Sequence, residues 1–203
     1  MTKLSDDPSL QTLQREVQRL LGQCLLQLQQ YERLMKIIVA AHKLSAPAHA
    51  WDSVQVKRRT KIERSMLGSL VGEFLESFLF TYEKAEYRQN DINVESDVNV
   101  FSYRMQIGLS EEDFDQVKDE LTGFVDLRNN LVHHFIEQHD LRDFDGCRSA
   151  QDALIAASRL IEHHFKRLRE WAEDMERTRL MMRELIQSDQ LRDQIVNASF
   201  NKE

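Results

Sequence analysis

The sequence predicts an all-α protein: a bundle of antiparallel helices with long helices at both ends and one irregular loop of about 20 residues. Three observations carry that expectation. Only two prolines, Pro8 and Pro47, and six glycines interrupt 203 residues, so little breaks a helical backbone. Two long stretches repeat apolar residues at alternating spacings of four and three. Turn residues gather in short clusters between such stretches, where helices would end.

The first helix is expected over 8–44. Asp7-Pro8 offers an N-cap acceptor followed by the one helical position that welcomes proline. Val17, Leu21, Cys24, Leu28, Tyr31, Met35 and Ile38 then form a seam that suits packing against a neighbouring helix. A linker around Pro47 follows. A second helix is expected from Ser53 to Glu86, with Ile62, Met66, Leu70, Phe74, Phe78 and Tyr82 as its apolar face. Gly68 and Gly72, one turn apart, would let another backbone approach.

Residues 87–109 are the least helical. Asn90, Asp91 and Asn93 supply turn chemistry, and Val94 to Ile107 holds β-favouring residues without clean alternation. A long loop with a short hairpin is expected there, and any β-structure is expected to be confined to it. Ser110-Glu-Glu-Asp113 resembles a capping box that starts a third helix reaching Gln138, with a bend near Gly123. Asp145-Gly146 would turn the chain, and Ser149 with Asp152 would cap a fourth helix. Its seam runs from Leu154 through Ile161, Leu168 and Met175 to Ile186. The chain reads as one domain, 1–203, with a core at 54–186 and a frayed tail at 197–203.

Composition bounds the function. The net charge of −7 argues against a protein that coats nucleic acid without specificity, since phosphate affinity comes from counterions released by Lys and Arg. A local basic site remains open: Lys57, Arg58, Arg59, Lys61 and Arg64 place five positive charges in eight residues, a candidate RNA-binding cluster or a solvated helix face. Cys24 and Cys147 show no metal-ligand spacing, and Cys24 falls on the apolar seam. His163-His164 makes a poor metal pair, because adjacent helical positions diverge by about 100°, and is expected on a solvated face. No metal and no cofactor is expected. No apolar run approaches the roughly 18 residues of a membrane span, and the N-terminus lacks a signal-peptide core, so the expected location is the cytoplasm.

The informative segment is Phe124-Val-Asp-Leu-Arg-Asn-Asn-Leu-Val-His-His-Phe135. On a helical wheel Phe124, Leu127, Leu131 and Phe135 gather within about 80° and define a core face. His133 lies almost opposite and beside Asn129, while Arg128 sits at the core edge, about 140° from His133. His134 falls towards the core side and reads as structural.

Arg128-Asn-x-Leu-Val-His133 resembles the R-x4-6-H signature of the HEPN superfamily, with Asn129 at the polar position that commonly follows the arginine. The resemblance covers about Val54 to Ile186. It implies a bundle of about four helices and, in many members, an endoribonuclease that needs no metal. Two copies of the motif would meet across a homodimer and share one site. The implied roles are His133 for proton transfer, Arg128 for phosphate binding and Asn129 as support. These residue types suit that chemistry, because RNA carries its own 2′-OH nucleophile, histidine moves protons near neutral pH, and an arginine fork matches phosphate oxygens. Members of toxin or phage-defence systems would have an antitoxin or defence partner. Toxins of this kind carry a tyrosine two residues after the motif histidine that a partner nucleotidyltransferase modifies. Phe135 stands there, without a hydroxyl. The competing expectation is a catalytically silent helical module used for interaction or dimerisation. Nucleic-acid binding without cleavage, through Lys57 to Arg64, is a third.

Overall fold

The computed structural model describes residues 8–82 and 100–188. Helices dominate: α1 (Pro8–Ala41), α2 (Trp51–Glu63), α3 (Leu67–Ser77), α4 (Glu111–Asn129), the single-turn α5 (Phe135–Gln138) and α6 (Phe144–Gln187). Two short strand pairs lie between them. β1 (Lys43–Pro47) pairs antiparallel with β3 (Val100–Arg104), and β2 (Leu79–Thr81) pairs parallel with β4 (Ile107–Leu109). The Asp7 cap and the tail at 197–203 fall outside the described residues. Contacts divide the chain into two units, 1–168 and 169–203, the second beginning within α6.

The α1 seam packs as its spacing predicts. Val17, Cys24, Leu28, Tyr31, Met35 and Ile38 are all buried, and Leu21 is half-buried. The Cys24 thiol donates to the Leu154 carbonyl at 3.5 Å, and the Ser158 hydroxyl donates to the Gln27 side-chain oxygen at 3.1 Å. Both numbers rise together along the two helices, so α1 and α6 run parallel. α4 runs antiparallel to α6: Glu120 pairs with Arg167 at 2.6 Å, and the Phe124 ring meets His164 at 4.5 Å. The antiparallel expectation therefore holds for α4 against α6 and fails for the two long helices against each other.

Several boundaries differ from expectation for identifiable reasons. The predicted 53–86 helix is broken at Arg64–Met66, where Met66 takes an extended backbone and Ser65 donates its hydroxyl back to the Lys61 carbonyl. Serine offers the chain such local bonds in competition with the helix ladder. Met66 is exposed at the break, and Tyr82 is exposed beyond Ser77, where α3 ends short of the predicted Glu86. The stretch after Pro47 is not a plain linker, and β-structure is not confined to 94–107: β1 and β2 lie outside that range. Isolated apolar runs as short as Leu79–Thr81 carry no period by which to recognise them. Neither Gly68 nor Gly72 is required for close approach, since a Cβ would meet only Val125 at 3.6 Å in one case and open space in the other.

The Ser110 cap forms as predicted, its hydroxyl oxygen accepting from the Asp113 N–H at 3.1 Å. α6 begins five residues before the predicted Ser149 cap. Asp143 takes that role, its carboxylate accepting from the Gly146 N–H at 2.7 Å. Gly146 is not a turn between helices but part of the first turn of α6, held against the Asp140 carbonyl, where a Cβ would collide with that oxygen.

Candidate functional site

The Arg128–His133 segment straddles the end of α4. Val117, Leu121 and Phe124 are buried and seat the helix on its neighbours, with Phe124 against the Tyr31 ring at 4.5 Å. From Asn130 to His134 the helix widens into a π turn before resuming as α5 at Phe135. Gly123, where a bend was predicted, lies inside one continuous α4, and the irregular turn lies here instead. Leu131 and Phe135 are both buried, anchoring the turn on either side. His134 closes it with φ −122° and ψ 0°, outside the helical range.

The π turn changes the geometry of the motif. Its hydrogen bonds skip one residue more than those of an α-helix, so the turn is wider than an ideal wheel assumes. Asn129 and Asn130 keep α-helical backbone angles, whereas His134 leaves them. π turns of this kind recur at functional sites, where the widened turn re-aims side chains.

Arg128 is half-buried and donates to the Asn129 side-chain oxygen at 3.1 Å. Asn129 therefore steadies the guanidinium, leaving its amide group to donate elsewhere. His133 is exposed, its ring edge-on to that of His134 at 6.3 Å. Among the described residues, no hydrogen bond or ion pair joins His133 to Arg128 or Asn129. Exposed apolar side chains flank the histidine: Val132 at 45% and Ile136 at 79% of full accessibility.

His134 is a correction. It does not turn to the core; it is exposed, and its Nδ1 lies 3.0 Å from the Glu137 carboxylate. The 100° wheel misplaces it because the π turn and its own non-helical backbone intervene. A second imidazole held by a carboxylate thus stands beside His133. Glu137, three residues on, is the signal that could have found it.

Phe135, at the position of the modifiable tyrosine in HEPN toxins, is 5% exposed and packs on the His139 ring at 4.8 Å. The expectation of a solvated His163-His164 face is half right. His163 is exposed, but His164 is buried against Phe124, and burial, reinforced by Arg167, pushes its pKa down to about 4.

The basic cluster on α2 is split by its surroundings. Arg58 is half-buried and donates to the Val39 and Ala40 carbonyls at 2.6 and 3.2 Å and to Glu73 at 2.9 Å, closing the C-terminus of α1. Lys57 and Lys61 are exposed and line a cleft with Arg58, whereas Arg59 and Arg64, also exposed, do not. Among the described residues, no group of three His, Cys, Asp or Glu side chains is placed to hold a metal ion, and no helix is long and apolar enough to cross a membrane. In comparisons with known proteins, no family model, curated protein or solved structure matches the chain.

Proposed function

We propose that the chain is a HEPN-type endoribonuclease whose motif face meets that of a second copy, forming one shared site. The observation that carries this reading is the π turn within the motif: it interrupts the helix ahead of Phe135 and leaves His133 and His134 exposed, with the half-buried Arg128 held by Asn129 on the preceding turn. In this reading the half-buried Arg128, steadied by Asn129, grips the scissile phosphate. His133 moves the proton of the 2′-OH or of the leaving oxygen, and the opposite copy supplies the complementary group. His134, oriented by Glu137, is placed to serve as a second proton carrier. The chemistry yields a 2′,3′-cyclic phosphate and asks for no divalent cation.

The test is cleavage of RNA by purified protein in EDTA. Wild type should cut RNA, spare DNA and leave a cyclic phosphate or its hydrolysis product. His133→Ala should lower the rate by about 10²–10⁴-fold, and Arg128→Ala by a similar order through lost charge stabilisation. If His133→Ala cuts as fast as wild type, the nuclease reading fails and an interaction module takes its place. Light scattering tests the shared site: a particle of 23.9 kDa at micromolar concentration would remove it.

A further inference from the structure

A second site, independent of the nuclease reading, lies in the cleft between α2 and the β1–β3 ladder. The cleft measures about 670 Å³ and is lined by Lys43, Lys57, Arg58, Lys61 and Arg104, with no carboxylate in its lining. One carboxylate stands behind it: Glu73 reaches Arg58 at 2.9 Å and Lys43 at 3.6 Å. Five cations face it. Among the described residues, no ion pair engages Lys57, Lys61 or Arg104.

The strand register sharpens the imbalance. Lys43 stands directly opposite Arg104 across the β1–β3 pair. Like charges in that position repel, and only Lys43 of the two is paired among the described residues, with Glu73. Burial, with Arg58 and Arg104 nearby, holds the Lys43 amine below its ordinary pKa even though Glu73 pulls the other way. Tyr103, between these cations in the lining, is pinned by its hydroxyl, which donates to the Ala41 carbonyl at 3.0 Å, so one wall is firm. On a chain of net charge −7, a concave site of this sign concentrates anions.

We propose that this cleft binds a compact polyphosphate group, carried by a nucleotide or free in solution. The cations converge from two walls, Lys57 and Lys61 on the helix and Lys43 and Arg104 on the strands. That arrangement encloses a short, densely charged anion, whereas an extended nucleic-acid backbone calls for cations strung along a surface.

Calorimetry of the full chain with inorganic tripolyphosphate, at low salt and with a chelator present, tests the proposal. One anion should bind per chain, more weakly as salt rises. Lys57→Ala with Lys61→Ala should weaken binding by about tenfold or more, because each removes a charge-assisted contact. Both side chains are exposed on a helix surface, and circular dichroism checks that the variant stays folded. Lys118→Ala, an equal loss of charge on the exposed face of α4, should leave the affinity unchanged. A nucleoside triphosphate and a single-stranded RNA oligonucleotide form the remaining arms. Tighter binding of the nucleoside triphosphate than of tripolyphosphate, with the same loss in the variant, identifies a nucleotide as the source; equal or weaker binding identifies free polyphosphate. No binding of tripolyphosphate, or equal binding by wild type and the double variant, overturns the proposal. RNA binding that the double variant loses, in the absence of tripolyphosphate binding, also overturns it and gives the cleft to RNA.

Discussion

Acid should weaken this fold well above the carboxylate range, and His42 sets the size of the effect. The side chain is fully buried at the end of α1. Its Nδ1 lies 2.9 Å from the Val39 carbonyl, which can only accept, so Nδ1 carries the proton. Nε2 lies 2.8 Å from the Ser77 hydroxyl, which is also 2.6 Å from the Glu73 carbonyl. Burial, aided by Lys43 and Arg58, pushes the pKa from 6.5 down to about 4. A base whose folded pKa lies below its unfolded value takes up its proton on unfolding. Its contribution is therefore intact above pH 6.5 and is lost as pH falls through the window from 6.5 to about 4. At about 1.4 kcal/mol per pH unit, the loss between pH 7 and pH 5 is about 2 kcal/mol. His164, shifted the same way, adds to it. Glu73 does not confuse the window, because Arg58 and Lys43 keep its carboxyl below its ordinary range despite its partial burial. Urea unfolding at pH 7 and pH 5, on wild type and His42→Gln, measures the difference. Gln keeps a polar contact within reach of Ser77 but does not titrate, so its pH dependence should be shallower by about 2 kcal/mol. Equal pH dependence in the two proteins would refute the buried neutral imidazole.

Three further outcomes follow from the packing. Arg58→Ala removes the donor to two α1 carbonyls and the partner of Glu73, and should cost about 2–3 kcal/mol in urea unfolding. Gly146→Ala forces a Cβ into the Asp140 carbonyl and should cost about 1–3 kcal/mol, read as a lower Tm. His134→Ala breaks only a solvent-exposed pair with Glu137, so its thermal melt should match wild type within about 0.5 kcal/mol, and any effect should appear in cleavage rate instead.

Helix seams were legible because burial imposes a period. The α1 residues Val17 to Ile38, save the half-buried Leu21, and the α6 residues Leu154, Ile161 and Leu168 are buried where a four-three rhythm places them. The parallel course of α1 and α6 was not legible, because a seam states which face is buried and not the direction of its partner. The break after Glu63 hid inside the predicted apolar period: Ile62, Leu70 and Phe74 are buried on it, and only Met66 between them is exposed, with Leu67 buried instead. The strands hid for the opposite reason. Lys43–Pro47 is stabilised by a partner that starts more than fifty residues later, and local sequence carries no trace of that pairing.

The motif shows most plainly how one register step separates a readable fold from a readable site. An ideal wheel requires equal rotation per residue, and from Phe124 to Asn129 that holds. Within Asn130–His134 it fails, although Leu131 and Phe135 remain buried, so the core positions give no warning of the change. The polar positions between them absorb it. His134 moves from the expected core side into water beside Glu137. Burial of apolar side chains holds the two ends of the turn fixed, and the extra residue is left to the surface, where nothing compels regular geometry. The residues whose placement was hardest to read are thus those that the fold leaves at its surface, the exposed Val132, His133, His134 and Ile136.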